Sequence, residues 1–268
     1  MMQGYPRFLT PNFKPFNPVE LSKLTERIVC REGPEGLERK YTAFYATGVY
    51  GGIATGYTVG CSLRCFFCWS EWSRDFPELY GSFYSPRRAF EELVKAARRF
   101  KVKKLRVSGA EPLIGAEHVL KLLELVENSE YPLFILETNG IVLGADKGLA
   151  RRLARFSKVH VRVSLKAATP EGFQRRTGAI GEFYELPFKA VEYLLDSGVS
   201  FHVAAMSDPR IMPKEERRML IERLAEIDRR VAANLEEELC DPYETTIVRM
   251  AAYGLDPYSF FKGRGHGP

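Results

Sequence analysis

The chain has 268 residues, a formal net charge of +5, 45% apolar residues and 27% charged residues. This length allows one large domain or two small ones, and the composition is ordinary for a globular protein with a substantial core. A net charge of +5 is smaller than is typical of nucleic-acid-binding proteins, so nucleic acid is a possible partner but not the favoured one. No apolar run is long enough to span a membrane, and the N-terminus lacks a signal-peptide pattern. We therefore expect a cytoplasmic protein with no membrane contact.

The first part of the chain predicts an arm, a helix and paired strands. Residues 1–16 are rich in proline and have no apolar period, which indicates an extended arm. Residues 17–30 open with Asn, Pro and Glu at the positions that start a helix. A turn is expected at 33–36. Residues 38–47 and 52–59 are rich in Tyr, Thr, Val and Ala, which predicts a hairpin or two adjoining strands.

From Pro86 onward, helical patterns alternate with short strand patterns. The predicted helices are 86–100, 116–128, 147–156, 183–196 and 213–233. The predicted strands are 104–107, 133–136, 159–165, 199–205 and 246–250. This alternation indicates a parallel sheet built from βαβ units, and the strands, counted with 52–59, are too few for a closed eight-stranded barrel.

Three of the five cysteines lie in one short stretch, where Cys61, Cys65 and Cys68 are spaced C-x3-C-x2-C. Thiolates this close together can hold one metal centre, and they suit an iron–sulfur cluster or zinc. A four-iron cluster normally has four cysteine ligands, so three would leave one iron open to a substrate or cofactor. Zinc would need a fourth ligand, and a disulfide framework would need an even cysteine count. The spacing therefore favours a redox cluster over zinc or structural thiols.

With the aromatic Phe67 directly before its last cysteine, this loop resembles the signature of the radical S-adenosylmethionine (SAM) enzymes. The resemblance covers roughly residues 52–250 and is greatest to minimal members such as the activases of glycyl radical enzymes. It implies a [4Fe-4S] cluster on Cys61, Cys65 and Cys68, with SAM bound to the fourth iron. It also implies an α/β fold, namely a partial (βα)6 TIM-like barrel of parallel strands with an N-terminal helix and hairpin extension.

The remaining candidates stand at predicted strand ends, where parallel α/β proteins bind their ligands. Residues 108–112, Ser-Gly-Ala-Glu-Pro, resemble the family's Gly-Gly-Glu-Pro motif, whose backbone holds the SAM ammonium. Residues 138–140 resemble a Thr-Asn-Gly motif of activase-like members. Residues 164–166 resemble the activases' Asp-x-Lys, with serine in place of the aspartate. The alternative for residues 108–112 is a capped turn before a helix, and for residues 138–140 an ordinary turn. The alternative for Lys166 is a lysine that extends to solvent at the rim.

The expected cofactor contacts are therefore Phe67, Ser108, Gly109, Ala110, Glu111, Thr138, Asn139, Ser164, Lys166 and Met206. Ala110 replaces the second glycine of the family motif, and Glu111 is expected to support the ammonium pocket. The weaker candidates are Arg175, Arg176, His202 and Arg249, and Cys30 and Cys240 are interpreted as structural thiols. The aromatic segment 69–84 is expected to pack over the cluster or simply to fill the core.

We expect three segments: an N-terminal arm, helix and strand over 1–51, the barrel over 52–250, and a tail over 251–268 that packs near the barrel mouth. The resemblance implies reduction by an external donor of the flavodoxin or ferredoxin type, followed by reductive cleavage of SAM. The resulting 5′-deoxyadenosyl radical would abstract hydrogen from a peptide, protein or small molecule. Two alternatives stay open: a tRNA- or nucleotide-modifying enzyme of the same family, and a non-enzymatic iron–sulfur electron carrier or sensor.

Overall fold

The computed structural model describes residues 4–262 of the chain. The strands are β1 (Cys30–Gly33), β2 (Gly36–Thr47), β3 (Ile53–Thr58), β4 (Ser82–Tyr84), β5 (Lys104–Gly109), β6 (Leu133–Thr138), β7 (Val159–Leu165), β8 (Phe201–Met206) and β9 (Glu236–Glu238). The helices are α1 (Pro18–Val29), α2 (Pro86–Phe100), α3 (Ala116–Glu127), α4 (Ile141–Ala145), α5 (Lys147–Leu153), α6 (Pro170–Thr177), α7 (Glu185–Asp196), α8 (Lys214–Ile227), α9 (Arg229–Ala233), α10 (Glu244–Ala252) and α11 (Pro257–Phe261).

All of these strands belong to one sheet, in the order β1-β2-β3-β5-β6-β7-β8-β9, with β4 paired to β2. The run from β3 to β9 is parallel throughout, whereas β1, β2 and β4 are joined by antiparallel pairing. The sheet does not close. The predicted α/β fold, a partial barrel of six parallel strands with an N-terminal helix and hairpin extension, is therefore confirmed.

One face of β3 and of each strand from β5 to β8 packs against the helices and forms the main core. Side chains alternate across a strand, so every second residue shares this face. Members of the buried cluster include Leu105, Val107, Phe134, Leu136, Val161, Val163, Leu165, Val203 and Ala205 from the strands, with Leu93, Leu123, Phe188 and Leu194 from the helices. Burying one such side chain contributes about 1.5–3 kcal/mol, which makes this layer the main stabiliser of the barrel.

The opposite strand face, which points into the barrel, is polar and charged. We call this face the charged lumen, and it comprises Thr55, Arg106, Glu137, His160, Arg162, Ser164, His202, Glu236 and Glu238. Closed barrels usually fill this space with branched apolar residues. Here the charges are paired with one another, since Arg106 meets Glu137 at 3.0 Å and Arg162 meets Glu236 at 2.9 Å.

The segment at 246–250 was predicted as the last strand, and that prediction is wrong. These residues lie in helix α10, and the last parallel strand is β9, which pairs with β8. Its sequence, Glu-Glu-Glu, has no apolar residue to signal a strand, because its inward side chains Glu236 and Glu238 bind lumen cations instead of packing in a core.

The predicted helix over 213–233 is interrupted. Asp228 adopts an extended conformation between α8 and α9, and its carboxylate accepts a hydrogen bond from the Arg230 amide at 2.6 Å as the cap of α9. Besides β9 and α10, the short elements β1, β4, α4, α6 and α11 had no counterpart in the sequence prediction. The helix start at Asn17, the hairpin of β2 and β3, and the other predicted helices and strands are present within a few residues of their predicted bounds.

Beyond β9, the chain continues through α10 into the short helix α11, which lies in the predicted tail segment. Residues 263–268, with Gly263, Gly265 and Gly267, lie outside the described residues. Between residues 4 and 262, no helix combines the length and the apolar character that crossing a membrane requires.

Candidate active site

The three clustered cysteines follow β3 and line one cleft at the carboxyl end of the barrel strands. Cys65 is buried, Cys61 and Cys68 are partly buried, and none of them forms a disulfide. Two nitrogen donors point at the Cys61 sulfur, the Leu63 amide at 3.4 Å and the Asn139 side-chain amide at 3.5 Å. Such donors stabilise sulfur that carries negative charge. Among residues 4–262, no three His, Cys, Asp or Glu side chains are placed so that together they could bind one metal ion.

Buried cations surround this loop. Burial raises the pKa of Cys61 to about 11 and that of Cys65 to about 12. Burial acts the same way on Cys68, but Arg74 and Arg249, with hydrogen bonds from Ser70, outweigh it and lower the pKa of that thiol. Three free thiols in one cleft with cations behind them fit a cluster held by three cysteines, because thiolate charge needs compensation once it is buried.

Helix α10 holds the cysteine loop from behind through Arg249, which is only 1% exposed. Its guanidinium donates to the carbonyls of Cys68 and Ser70, each at 2.6 Å, and pairs with Asp75 at 2.5 Å. Arg74 donates to the Cys65 carbonyl at 2.7 Å and shares the same carboxylate. Burial alone would raise the pKa of Asp75, but the two guanidiniums hold it below its usual value. The loop geometry thus depends on a buried Arg–Asp–Arg group.

The Ser108-Gly109-Ala110 turn at the end of β5 forms the adjacent wall of the cleft. Gly109 adopts φ +100°, and a Cβ there would lie 3.1 Å from the Thr58 amide nitrogen and 3.2 Å from its carbonyl oxygen. Only glycine accepts both conditions without strain. Positive φ falls at Gly109 and not at Ala110, so an alanine is compatible with the second position of the motif.

Glu111 lies behind the cleft wall, fully buried, and is absent from the cleft lining. Its carboxylate accepts hydrogen bonds from the Leu113 amide at 3.0 Å, the Thr138 hydroxyl at 2.8 Å and the Asn139 amide at 2.7 Å. Burial raises its pKa, against the effect of these donors. The structure therefore places Glu111 as a clamp between the ends of β5 and β6, behind the residues that line the cleft.

Thr138 and Asn139 line the cleft at the end of β6. The Asn139 side chain also donates to the Ser62 hydroxyl at 3.1 Å, in addition to its contact with Cys61. The Thr-Asn-Gly motif therefore connects β6 directly to the cysteine loop.

Ser164, Lys166 and Met206 line the opposite wall. The Lys166 ammonium donates to the Ser164 hydroxyl and lies 3.9 Å from the Glu238 carboxylate. Phe67 is also in the lining, and Lys166 lies 6.0 Å from its ring centre. Of the predicted contact residues, all but Glu111 therefore lie around one cleft.

Several cleft residues were not predicted, and the chief ones are Glu137, Arg162 and Glu238. Glu238 accepts hydrogen bonds from Arg162 at 2.8 Å and from Ser164 at 3.1 Å. Burial would raise its pKa, but Lys166 and Arg162 outweigh burial and lower it. For Arg162 the available signal was the strict alternation of apolar and polar residues in Val159–Leu165, which marks an inward face that is not apolar. Leu133–Thr138 and Glu236–Glu238 have no such alternation, so Glu137 and Glu238 had no comparable signal.

The weaker candidates have bracing roles in the structure. Arg176 is fully buried, pairs with Glu216 at 2.5 Å and donates to the Ile211 carbonyl, while Arg175 is exposed. His202 is bonded to His160 at 2.7 Å and to Glu236 at 2.9 Å, away from the cysteine loop. Cys30 and Cys240 are both buried. In the aromatic segment 69–84, only Trp69 among the aromatic residues lines the cleft.

Solved structures that share the fold of this chain include the following two. Streptococcus suis SuiB, bound to its precursor peptide SuiA, matches with a TM-score of 0.54 and 15% identity over 70% of this chain and 39% of its own. A radical SAM methyltransferase from Sphaerobacter thermophilus matches with a TM-score of 0.52 and 14% identity over 85% of this chain and 70% of its own. At these identities the likeness shows the fold alone.

Sequence relatives include proteins named as probable GTP 3′,8-cyclases. The one from Methanococcus maripaludis strain C5 is 29% identical over 53% of this chain and 45% of its own length. The one from Thermococcus kodakarensis is 33% identical over 46% of this chain and 38% of its own length. The chain thus spans less than half of the curated relatives that it matches. The family model of the Radical SAM superfamily matches residues 56–224, which is more than half of the chain. The chain therefore belongs to the radical SAM superfamily and is an enzyme of that family, whose cofactors are a [4Fe-4S] cluster and SAM.

Proposed function

We propose that this enzyme cleaves SAM reductively and abstracts hydrogen from a small polar or charged substrate bound above the charged lumen. The observation that carries the proposal is a convergence: the three free cysteines and the three strand-end motifs line a single cleft. The cleft lies at the carboxyl end of the parallel strands, which is where parallel α/β proteins bind their ligands.

In this proposal Cys61, Cys65 and Cys68 hold the cluster from one side of the cleft. When bound, the cluster supplies the electron that splits SAM into methionine and a 5′-deoxyadenosyl radical, which takes a hydrogen atom from the substrate. The carbonyls of the Ser108–Ala110 turn accept hydrogen bonds from the SAM ammonium, because a cation prefers such acceptors. The Lys166 ammonium and the Ser164 hydroxyl receive its carboxylate.

Apolar side chains exclude water from the same cleft. Leu63, Phe67 and Met206 line it, and each is at most 7% exposed. Trp69 stands at the rim with 44% of its surface exposed. A dry cavity prevents side reactions of a reactive intermediate, so these four residues protect the radical once substrate covers the mouth.

The lumen side of the cleft supports the choice of a polar substrate. Glu137, Arg162 and Glu238 reach the cleft from β6, β7 and β9 and present charges of both signs. An apolar substrate would leave these groups without water and without new partners, which is unfavourable. A nucleotide is the second candidate, because the relatives from methanogens and Thermococcus are named for a reaction of GTP.

The proposed reductant is a small electron carrier of the flavodoxin or ferredoxin type, since enzymes of this family need an external electron. The non-enzymatic alternative, an iron–sulfur carrier or sensor, predicts no turnover of SAM. Production of 5′-deoxyadenosine from SAM by the reduced protein separates an enzyme from a carrier.

The cluster is tested by anaerobic reconstitution of the wild-type chain and five single variants. We expect about four iron and four sulfide per chain in the wild type. Cys61→Ala, Cys65→Ala and Cys68→Ala should each lose the cluster, whereas Cys30→Ala and Cys240→Ala should keep it. Stoichiometric zinc without iron uptake would contradict the proposal.

The substrate class is tested by adding GTP, amino acids or short peptides to reduced, reconstituted enzyme with SAM. A true substrate should raise 5′-deoxyadenosine formation above the basal rate and, when deuterated at the reacting carbon, should transfer deuterium to it. No stimulation by GTP or other nucleotides would remove the nucleotide candidate. Stimulation only by apolar molecules would overturn the polar substrate class.

A further inference from the structure

Tyr50 occupies an unusual backbone position in the turn between β2 and β3. Its φ of 53° and ψ of 24° lie in the left-handed region. The other non-glycine residue with positive φ among residues 4–262 is Lys101, which is explained as the cap of α2. Glycine would adopt this conformation without strain, and three glycines, Gly48, Gly51 and Gly52, stand next to Tyr50 in the chain. A tyrosine at a position where glycine would be unstrained indicates a role for the side chain.

The side chain enters the barrel from its amino end. The turn precedes β3, which runs parallel to the other barrel strands, so Tyr50 lies at the end of the lumen opposite the cleft. Its hydroxyl donates to Glu137 on β6 at 2.9 Å, and the Arg106 guanidinium of β5 lies 5.7 Å from its ring centre. Lys104 donates to its backbone carbonyl. The ring therefore closes the lower end of the charged lumen and is held by two neighbouring strands.

Glu137 connects Tyr50 to the cofactor turn. One carboxylate oxygen accepts hydrogen bonds from the Tyr50 hydroxyl and from Arg106 at 3.0 Å. The other accepts one from the Ser108 hydroxyl, and Ser108 directly precedes Gly109 and Ala110. Glu137 and Ser108 both line the cleft, whereas Tyr50 does not. A hydrogen-bonded line thus runs from the lower end of the barrel to the turn that faces the ligand.

We propose that Tyr50 is a positioning residue for SAM, which fixes Glu137 and through it the Ser108–Ala110 turn, while its ring closes the barrel from below. This inference rests on the proposed function, because it assigns the turn to SAM. The strain at φ 53° is retained because glycine at this position would supply neither the hydroxyl nor the ring.

The test uses Tyr50→Phe, which keeps the ring and the backbone strain but removes the hydroxyl. Val49→Ala is the matched control, since Val49 lies in the same turn and is 47% exposed. Hydrogen exchange is followed in two segments, residues 44–53 around the turn and residues 105–112 around the cofactor turn. SAM affinity is measured by calorimetry on the anaerobically reconstituted protein.

For Tyr50→Phe we expect amide exchange in residues 105–112 to accelerate about fivefold and the Kd for SAM to rise about 5- to 10-fold, with little change in melting temperature. Tyr50→Gly should weaken SAM binding further, although it relieves the backbone strain. Val49→Ala should change neither quantity.

A purely structural role would give a different pattern. Faster exchange confined to residues 44–53, with unchanged SAM affinity in Tyr50→Phe and Tyr50→Gly, would overturn the inference. A wild-type protein that binds the cluster but not SAM would overturn the proposed function. Since exchange is measured on the chain without cofactors, the two failures can be distinguished.

Discussion

Lys166 stands at the cleft with a charge that its own fold only partly compensates. Its ammonium donates to the Ser164 hydroxyl, and the nearest carboxylate, Glu238, is 3.9 Å away. An ammonium has three donor hydrogens, so Lys166 keeps the capacity to bind an anionic group in the cleft. The carboxylate of SAM is the group that this arrangement fits.

Replacing Lys166 with alanine should therefore weaken SAM binding by about 2–4 kcal/mol, the cost of leaving a buried charge without its partner. The cluster should still form, because Lys166 is not one of its ligands. Lys189→Ala, a change at an exposed lysine of α7, serves as the control and should leave the Kd unchanged. Equal SAM affinity in both variants would show that Lys166 does not bind SAM and is a solvated residue at the rim of the cleft.

Helix α10 supports the cysteine loop directly. Arg249 and Thr246 reach the cysteine loop from this helix, and Thr246 donates to the Cys68 carbonyl at 3.2 Å. The guanidinium of Arg249 also lies 5.4 Å from the Trp72 ring centre. The helix therefore acts as a buried support for the loop, and its loss should affect both stability and cluster retention.

Arg249→Met should lower the free energy of unfolding by about 3 kcal/mol, because it leaves loop carbonyls and part of the Asp75 charge without a donor. For a chain of this size that corresponds to a fall in melting temperature of about 6–12 °C, measurable by calorimetry on the cluster-free protein. Arg218→Met on α8 is the control, since the Arg218 ion pairs are solvent-exposed. Equal melting temperatures for Arg249→Met and the wild type would contradict the supporting role.

The buried Arg74–Asp75–Arg249 group predicts that the stability of the fold depends on pH. Arg74 and Arg249 hold the folded-state pKa of Asp75 below its unfolded value of 3.8, despite burial. A depressed pKa contributes stability that is fully present above the unfolded pKa and is lost as pH falls through the folded pKa. The stability difference between the wild type and Asp75→Asn should thus be constant from pH 7 to about 5 and shrink below about pH 4. Urea unfolding of the cluster-free chains measures it, and a difference that does not change with pH would refute the ion-pair account.

Strands with alternating apolar residues were predictable, whereas β9, which has no apolar residue, was not. Strands such as Val159–Leu165 alternate apolar and polar residues, so their existence and even the shared face of Ser164 and Lys166 follow from the sequence. Strand β9 has only glutamates, and its two inward carboxylates bind Arg162 of β7, which is 74 residues from Glu236 and 76 from Glu238. Local propensity cannot reveal such a long-range partner.

For the whole molecule, the repeated alternation of helices and strands predicted a parallel sheet built from βαβ units, and the resemblance to radical SAM enzymes implied the partial barrel. The cysteine spacing favoured a redox cluster at the loop after β3. The charged lumen was not predicted, because each strand taken alone presents at most three inward polar residues. Only the barrel topology brings Arg106 to Glu137 and Arg162 to Glu238, each pair from two different strands.

Helix α11 of the C-terminal tail packs beside the cysteine loop. In α11, Phe260 and Phe261 pack against the apolar cluster that contains Phe66 and Phe67 of the cysteine loop, and Arg210 lies 4.7 Å from the Phe260 ring centre. No described residue of α11 lines the cleft. We therefore expect this segment to stabilise the loop from outside and not to act as a lid.

Truncation after Leu255 should lower the melting temperature by several degrees, because two partly buried phenylalanine rings contribute about 2–4 kcal/mol together. The ratio of 5′-deoxyadenosine to product should stay at the wild-type value. Tyr258→Ala is the control, since that side chain is 75% exposed and should leave both quantities unchanged. A lid would give the reverse pattern, a normal melting temperature with more 5′-deoxyadenosine per product, because an uncovered cleft admits water to the radical.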